Sequence, residues 1–325
     1  MKPPPAPDFW TRQGLVAHLL EPLAWANEAA GTARRALSRP WHADVPVLCV
    51  GNLVAGGAGK TPVVLSLARM LTERGSRPHL LSRGYGGSAP GPLAVDPERH
   101  GGTQVGDEPL LLARAAPTWI ARDRVAGARA AIEAGAGLIV MDDGFQNPGL
   151  AKDLSLLVID GAYGVGNGRV MPAGPLRERV PAALKRADAV VLMGEDETGI
   201  LALIGQIPVL RARLVPAGAP LAGPVIAFAG IGRPEKFFRT VAETGANLVA
   251  RHAFADHHVF AETELARLAH EAAAAGARLV TTAKDAVRLP PAWRARVAVL
   301  EVEVAWRDKV ALEAVLQRVT EAPRG

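Results

Sequence analysis

The segment 50–61 constrains the fold of this chain more than any other. It reads Val-Gly-Asn-Leu-Val-Ala-Gly-Gly-Ala-Gly-Lys-Thr, follows the apolar run Val45–Val50 and precedes a helix that we predict over 62–73. A buried strand, a glycine-rich turn and a helix in this order are typical of a phosphate-binding loop, or P-loop. The backbone amides of such a loop and the positive end of the helix dipole bind phosphate oxygens. We therefore predict a nucleotide site in an α/β fold.

Two side chains of this loop carry the chemistry. In a P-loop the lysine bridges the β- and γ-phosphates and the next hydroxyl binds Mg²⁺, roles that fall here on Lys60 and Thr61. The strict pattern has glycine at position 54, where this chain has Val54, so two later glycines must form the tight turn. We expect phosphate contacts from Gly56, Gly57, Ala58, Gly59, Lys60 and Thr61. The alternative is a glycine-rich strand–helix connection that binds no nucleotide.

A pair of acidic residues follows a second predicted strand. Leu138–Met141 is an apolar run, and Asp142 and Asp143 come directly after it. In doubly wound sheets, ligands bind at the carboxyl ends of the strands. A carboxylate in this position can hold Mg²⁺ beside the nucleotide phosphates. We predict that both aspartates belong to a metal site, and the alternative is an ordinary Asp-Gly turn.

The pattern along the rest of the chain predicts a doubly wound, mostly parallel α/β sheet of the P-loop type. Short apolar runs alternate with helical stretches from residue 45 onward, as parallel sheets require. Segment 214–224 is rich in proline and glycine and reads as a linker. After it the alternation resumes in a shorter unit. We therefore predict a P-loop core at 40–215 and a smaller α/β domain at 216–325.

The N-terminal residues 1–39 form a separate helical segment in this prediction. Apolar residues recur at helical spacing over 8–39, Pro22 should divide the helix, and arginines follow at 34, 35 and 39. Such an amphipathic segment with Trp10 and Trp25 can lie in a membrane interface. It can equally pack on the core of its own protein. No stretch predicts a spanning helix, because prolines interrupt the longest uncharged stretch, 214–232.

Composition excludes several kinds of site. The single cysteine, Cys49, excludes a disulfide framework, a cysteine-based zinc site and an iron–sulfur cluster. The formal net charge is +5 and the pI is about 9.7, which permits contact with phosphates or an anionic membrane and requires neither. Gly-Val-Gly-Asn-Gly at 164–168 lacks the strand–helix context of a dinucleotide site, so we do not predict NAD.

Several motifs together resemble the tetraacyldisaccharide 4'-kinase (lipid A 4'-kinase) family. They occur in the family's order over 9–288, and the sequences Asp-Asp-Gly-Phe-Gln and Pro-Ala-Gly-Pro-Leu-Arg-Glu are much more specific than Gly-Lys-Thr. The motifs that carry the resemblance, besides the P-loop, are Ser-Arg-Gly-Tyr-Gly (82–86), Gly-Asp-Glu-Pro (106–109), Asp-Asp-Gly-Phe-Gln (142–146), Gly-Val-Gly-Asn-Gly (164–168), Pro-Ala-Gly-Pro-Leu-Arg-Glu (172–178), Phe-Ala-Asp-His-His (254–258) and Thr-Thr-Ala-Lys-Asp-Ala (281–286).

The resemblance implies a reaction and a location. A member of this family transfers the γ-phosphoryl group of ATP to the 4'-hydroxyl of a tetraacyldisaccharide 1-phosphate, giving lipid IVA. The active site is expected in the cleft between two α/β units. The protein is expected to contact the cytoplasmic face of the bacterial inner membrane peripherally through its N-terminal segment. We expect ATP and Mg²⁺ as cofactors, the lipid A disaccharide precursor as partner, and no nucleic acid.

The resemblance also implies site residues. Asp107 is expected to accept the proton of the sugar hydroxyl, oriented by His257 from the second domain, with His258 as the less favoured candidate. Arg177 is expected to stabilise phosphate charge, and Gln146 to lie in the nucleotide site. The expected metal ligands are Thr61, Asp142, Asp143 and Glu108. Without the resemblance, Asp107 and Glu108 would read as an ordinary acidic helix N-terminus, and the two histidines as loop residues.

Three positions differ from the family pattern, and two other functions stay open. Asn147, Arg179 and Ala283 replace a usual histidine, proline and glutamate; none of them is a residue to which we assign chemistry. A P-loop ATPase or GTPase switch is compatible with the fold, but this chain has no cysteine ligand cluster and no Asn-Lys-x-Asp element for guanine. A kinase or synthetase for a soluble small molecule is the third possibility.

Overall fold

The computed structural model describes residues 7–320. A short 3₁₀ turn, Asp8–Thr11, precedes the first helix. The helices are α1 Leu15–Leu19, α2 Glu21–Leu37, α3 Lys60–Glu73, α4 Gly102–Val105, α5 Asp107–Leu112, α6 Arg124–Glu133, α7 Val180–Leu184, α8 Leu201–Ile204, α9 Pro234–Glu243, α10 Glu262–Ala274, α11 Ala283–Ala286, α12 Pro291–Arg294 and α13 Lys309–Thr320. The strands are β1 Val47–Asn52, β2 Pro78–Ser82, β3 Leu93–Ala94, β4 Thr118–Ile120, β5 Leu138–Asp142, β6 Leu154–Asp160, β7 Ala189–Met193, β8 Val209–Ala217, β9 Pro224–Ala229, β10 Asn247–Ala253, β11 Arg278–Thr282 and β12 Ala298–Trp306.

All of these strands join in one sheet, in the order β10-β9-β11-β12-β8-β7-β6-β1-β5-β2-β4-β3. The pairs are parallel except β3 with β4 and β8 with β12. β1 lies between β5 and β6, and every residue of these three strands is buried. Parallel strands that are covered on both faces read as continuous apolar runs, which is why the sequence revealed them. The predicted fold class, a mostly parallel P-loop-type α/β sheet with a smaller second unit, is confirmed.

The predicted linker at 214–224 is partly wrong. Residues 214–217 form the end of β8, which pairs antiparallel with β12 and connects the two halves of the sheet. Pro216 faces Val302 of β12, and the pairing of β8 with β7 ends at Ala212. Beyond Ala212 one side of β8 therefore has no neighbouring strand, and a proline, which has no amide hydrogen to donate, is tolerated at such an edge.

The division of the chain into a core at 40–215 and a second domain at 216–325 stays a prediction. Separate hydrophobic clusters lie around β1 and around β9 and β11. However, Val304 of β12 and the inner face of α13 (Leu312, Leu316, Val319) pack in the first cluster. By its packing, the end of the described chain thus belongs to the larger unit.

The N-terminal helices have two different faces. α1 ends at Leu19 and α2 begins at Glu21, with Pro22 in its first turn, as predicted. The small residues Ala17 and Ala24 are buried against the protein. Leu20 is partly buried against the core. The exposed larger apolar residues of the segment are Leu15, Val16, Leu19, Leu23, Trp25 and Leu37. No helix in the described range 7–320 is long and apolar enough to cross a membrane.

We expect Gly51→Ala to destabilise the protein by about 1–3 kcal/mol, the usual effect of overpacking a close-packed core. A Cβ on Gly51 would lie 2.3 Å from Phe145 Cβ and 3.3 Å from the Phe145 amide nitrogen, so the rigid backbone after β5 would have to move. The measurement is urea unfolding. Gly101→Ala is the matched control, because the nearest atom to its new Cβ is 4.0 Å away. Equal stability of the two variants would contradict this packing.

Candidate active site

The glycine-rich loop connects the end of β1 to the start of α3. Gly56 and Gly59 have φ angles of +114° and +85°, in the left-handed region that favours glycine. The Asn52 side chain donates to the carbonyls of Val54 (2.7 Å) and Gly56 (3.3 Å) and so holds the turn together. Val54, which departs from the strict pattern, is buried and bridges to Leu176. The loop is thus tied to its own scaffold while the amides ahead of α3 stay available.

Asp143, at the carboxyl end of β5, forms ion pairs with two cationic side chains. Arg177 donates to both of its carboxylate oxygens, at 2.9 and 3.1 Å, and Lys60 Nζ lies 3.5 Å from Oδ1. Burial alone would raise the pKa of Asp143, but Lys60 and Arg177 hold this pKa below its ordinary value. The structure therefore brings together three of the predicted residues, with both cations directed at one point beside the P-loop.

The pKa of Asp142 is shifted upward, in the opposite direction from the pKa of Asp143. Its side chain is 1% exposed, Ser82 Oγ lies 3.5 Å from Oδ2, and Oδ1 has no hydrogen-bond partner among the described residues. Burial, with the negative charges of Glu108 and Asp143, raises the pKa of Asp142 to about 7. A buried carboxylate oxygen without a partner is destabilised unless it binds a proton or a cation. This oxygen is therefore suited to a divalent cation.

Gln146 links the P-loop strand to a buried acidic residue. Its Nε2 donates to the Asn52 carbonyl (3.1 Å) and to Glu178 Oε1 (3.2 Å), and Arg177 Nη1 donates to its Oε1 (3.4 Å). Glu178 is 2% exposed and also forms ion pairs with Arg35 of α2 and with Arg186. Gln146 thus lies among the predicted site residues, and the N-terminal helix is connected to the same network.

A carboxylate and an imidazole meet across the cleft between the two units. His257 Nδ1 donates to Asp107 Oδ2 at 3.1 Å, although the two residues are 150 positions apart in the chain. On the other side of the ring, Lys284 Nζ lies 3.4 Å from Nε2. Because a carboxylate only accepts and an ammonium only donates, these contacts place the ring hydrogen on Nδ1. His258 instead points to Glu264, at 2.9 Å.

Asp107 is held closely by its surroundings. It is the first residue of α5 and follows Gly106, whose φ is +89°. A Cβ on Gly102 would lie 2.4 Å from Asp107 Oδ1, so the glycine makes room for the carboxylate. Burial alone would raise the pKa of Asp107. The hydrogen bond from His257 and the charges of Arg288, His257 and Lys284 nevertheless keep this pKa below its ordinary value.

Backbone strain concentrates at this site. Within the described range, the non-glycine residues with positive φ are Asp143 (53°) and His257 (57°). Such conformations cost about 1–3 kcal/mol each and persist where the surrounding structure enforces them, commonly at functional sites. Both residues belong to the predicted site, one in each unit.

The positions that differ from the family pattern lie outside these contacts. Asn147 Oδ1 accepts from the amides of Gly149 and Leu150 and so caps the turn after Gln146. Arg179 forms an ion pair with Glu28 of α2 at 2.8 Å. Ala283 is the first residue of α11. None of these contacts involves Asp142 or Asp143.

A model of the Tetraacyldisaccharide-1-P 4'-kinase family matches residues 16–321 of this chain. The chain belongs to this family. The tetraacyldisaccharide 4'-kinase of Rhodospirillum centenum is 60% identical over 96% of this chain and 95% of its own length, and that of Paramagnetospirillum magneticum is 54% identical over 97% and 98%. A crystal structure of LpxK from Aquifex aeolicus in complex with ATP matches with a TM-score of 0.77 at 27% identity, covering 94% of this chain and 99% of that one.

This family member also contains buried charged residues beside the residues of the predicted site. Arg124 is 5% exposed near Asp142 and Asp143, and burial and the neighbouring Arg83 lower its pKa. Glu178 is buried, pairs with Arg186 and accepts a hydrogen bond from Gln146, and Arg288 is buried in an ion pair with Asp107. Glu178 lies within the Pro-Leu-Arg-Glu motif, which was a usable signal. Arg288 lies four residues after Lys284, and this spacing is the one sequence feature that associates it with the site.

Proposed function

We propose that this protein transfers the γ-phosphoryl group of ATP to the 4'-hydroxyl of a tetraacyldisaccharide 1-phosphate, forming lipid IVA. The observation that carries the proposal is the 3.1 Å contact between Asp107 and His257. This contact supports a proton acceptor in the first unit with its orienting group in the second, because it brings a carboxylate and an imidazole together at one cleft. Glu108, the neighbour of Asp107, interacts electrostatically with Asp142 of the P-loop site, so the two clusters are adjacent.

In this proposal Asp107 is the general base. The sugar hydroxyl must lose its proton as it attacks phosphorus, and a carboxylate within hydrogen-bond reach can accept it. The contacts of His257 and Arg288 both fall on Oδ2 of Asp107. We therefore assign Oδ1 as the atom that accepts the proton. His257 holds the carboxylate in place through the hydrogen bond from its Nδ1.

Lys60 and Arg177 neutralise the phosphate charge. Both cations already converge on Asp143, at 3.5 and 2.9 Å, so they face the same region at the end of the P-loop. Phosphoryl transfer depends mainly on such positioning and charge neutralisation. The loop residues Gly56 to Thr61 supply the backbone amides for the nucleotide, and Gln146 supports the loop through Asn52.

The oxygen-rich cluster fits Mg²⁺. The buried Asp142 Oδ1 lacks a hydrogen-bond partner among residues 7–320, and Mg²⁺ prefers oxygen ligands. Within the same range no group of three His, Cys, Asp or Glu side chains forms a ready cation site. Mg²⁺ commonly binds through one or two carboxylates together with substrate phosphates. We assign it to Thr61, Asp142, Asp143 and Glu108, where it would shield the phosphate charge.

The function is tested with purified protein, ATP and a purified tetraacyldisaccharide 1-phosphate in detergent micelles. We expect a bisphosphate product by mass spectrometry, dependent on ATP and on Mg²⁺. Parallel reactions with soluble sugars and without any acceptor test the other candidate functions. ATP hydrolysis without lipid phosphorylation would favour a switch ATPase, and phosphorylation of a soluble sugar alone would favour a small-molecule kinase.

We also propose that α1 and the start of α2 contact the cytoplasmic face of the bacterial inner membrane peripherally. Leu15, Leu19 and Leu23 are 76%, 70% and 58% exposed, which is unusual for leucines so close together. Ala17, Ala24 and Leu20 of this segment face the protein, whereas Leu15, Leu19 and Leu23 face outward and can contact lipid. An amphiphilic acceptor requires a membrane surface near the cleft, and the link from Arg35 of α2 to Glu178 places this segment beside the site network.

Replacing both Leu19 and Leu23 with glutamate is expected to weaken vesicle binding at least about tenfold, because burying one leucine contributes about 1.5–3 kcal/mol. The measurement is sedimentation with vesicles of phosphatidylethanolamine and phosphatidylglycerol. Leu203→Glu is the matched control, since Leu203 in α8 is 56% exposed outside the N-terminal segment. If the double variant binds vesicles as tightly as this control, the membrane role of the segment is wrong.

A further inference from the structure

The motif Thr-Thr-Ala-Lys-Asp-Ala and the residues that follow it have no role in the proposed reaction. We propose that Arg288 is a positioning residue that fixes Asp107 and His257 relative to each other across the cleft. This inference rests on the proposed function for its catalytic consequence. The contacts of Arg288 are with Asp107, with Asp285 and with the carbonyls of Gly230 and His258.

The first observation is the contact with the carboxylate. The Arg288 side chain is 6% exposed, and its Nε lies 2.9 Å from Asp107 Oδ2. The same oxygen accepts the hydrogen bond from His257. One oxygen of the first unit therefore accepts a hydrogen bond from an imidazole of the second unit and forms an ion pair with a guanidinium of the same unit.

The second observation concerns the turn that carries His257. Arg288 Nη1 donates to the carbonyls of Gly230 (3.0 Å) and His258 (3.2 Å). The Gly230 carbonyl also accepts the His257 amide, at 3.1 Å. His257 has a positive φ, a conformation that requires support from its surroundings. Arg288 thus supports the strained turn on one side and Asp107 on the other.

The third observation is that Arg288 is itself held in place. Asp285 is fully buried and lies 3.1 Å from Arg288 Nη1. Its two oxygens also accept from the Gly230 amide at 3.1 Å, and Thr282 donates to Oδ2 at 2.7 Å. Asp285 therefore links the guanidinium, α11 and the end of β9 in one rigid network.

The chemistry of this position requires arginine. Arg288 Nη1 donates to two carbonyls and forms an ion pair with Asp285, while Nε forms an ion pair with Asp107. A planar guanidinium has five N–H donors in a fixed geometry, whereas a lysine ammonium is a compact point charge. We therefore expect lysine at 288 to restore the charge but only part of the positioning.

The first test compares Arg288→Met with Arg294→Met. Arg294 is an arginine of the same unit, and among residues 7–320 its side chain donates to the carbonyls of Leu289 and Val287. We expect Arg288→Met to lower kcat about 10–100-fold, the usual effect of losing a residue that orients a site group, with KM for ATP unchanged. Arg294→Met should keep the kcat of the unchanged protein. Added guanidinium should restore part of the kcat of Arg288→Ala.

A double-substitution cycle separates positioning from general stabilisation. If Arg288 acts through Asp107, adding Arg288→Met to Asp107→Asn should lower kcat by less than threefold further. A full additional 10–100-fold loss would show that the two residues act independently and would overturn the inference. The same holds if Arg288→Met raises KM for ATP as much as it lowers kcat.

Hydrogen exchange gives a measurement that does not depend on activity. We expect amides of the turn 254–258 to exchange at least tenfold faster in Arg288→Met than in Arg294→Met, with α3 unchanged in both. Unchanged exchange in this turn would overturn the inference even if the protein phosphorylates the lipid. Faster exchange in a protein that phosphorylates no lipid would instead contradict only the proposed function.

Discussion

Asp107→Asn is expected to lower kcat for lipid phosphorylation by about 10²–10⁴-fold, the range that a general base contributes. Asparagine has nearly the same shape and can still accept a hydrogen bond from His257 Nδ1, so the geometry of the contact should survive while proton acceptance is lost. The measurement is steady-state phosphorylation with the disaccharide 1-phosphate varied at saturating ATP. KM for ATP should stay within about twofold, because Asp107 does not contact the P-loop.

The matched control for this prediction is Asp196→Asn. Asp196 accepts amide hydrogen bonds at the start of α8 and contacts none of the proposed site residues. Asparagine keeps such a capping role, so this variant should retain full kcat. Both variants should unfold cooperatively in a thermal melt. An Asp107→Asn variant that is folded and phosphorylates the lipid at near-normal rate would remove Asp107 from the mechanism.

Lys60→Ala is expected to lower kcat by about 10²–10³-fold, as removal of one charge-stabilising group typically does. Lys60 is the cation of the P-loop and lies 3.5 Å from Asp143 Oδ1. Without it, the phosphate charge that develops during transfer is less well neutralised, and ATP binding should weaken as well. The measurements are kcat with the lipid acceptor and the Kd of ATP by calorimetry.

The structural effect of Lys60→Ala should be small. Arg177 still contacts both oxygens of Asp143, so the buried turn after β5 keeps a cationic partner. Lys185→Ala is the control, since Lys185 is an exposed lysine after α7. If Lys60→Ala binds ATP and turns over like this control, the loop at 50–61 does not cradle the nucleotide.

Much of the candidate site could be predicted from local sequence. Strands that are buried on both faces are long apolar runs, so β1, β5 and β6 were recognised together with the residues at their carboxyl ends. Lys60, Thr61, Asp142 and Asp143 follow from these positions. Asp107, His257 and Arg177 were reached only through the family resemblance, because a short motif does not show which distant residue it meets.

Other features of the structure could not be predicted from the local sequence. The antiparallel pairing of β8 with β12 joins segments that are far apart in the chain, and Pro216 made the end of β8 resemble a linker. The contacts that Arg288 and Glu178 make with other charges became visible only in the tertiary structure. A charged residue looks the same in sequence whether it is solvated or buried, and the cost of burying it is decided by its partners.

The sequence alone determined the P-loop, the order of the α/β elements and the family, since these depend on hydrophobic period, turn chemistry and motifs within a few residues. The tertiary structure decided which histidine faces Asp107 and which arginine contacts both Asp107 and the turn of that histidine. It also decided that one sheet runs through both units. These outcomes depend on contacts between residues more than a hundred positions apart, such as Asp107 with His257. Such contacts follow from the packing of whole elements, which no local pattern encodes.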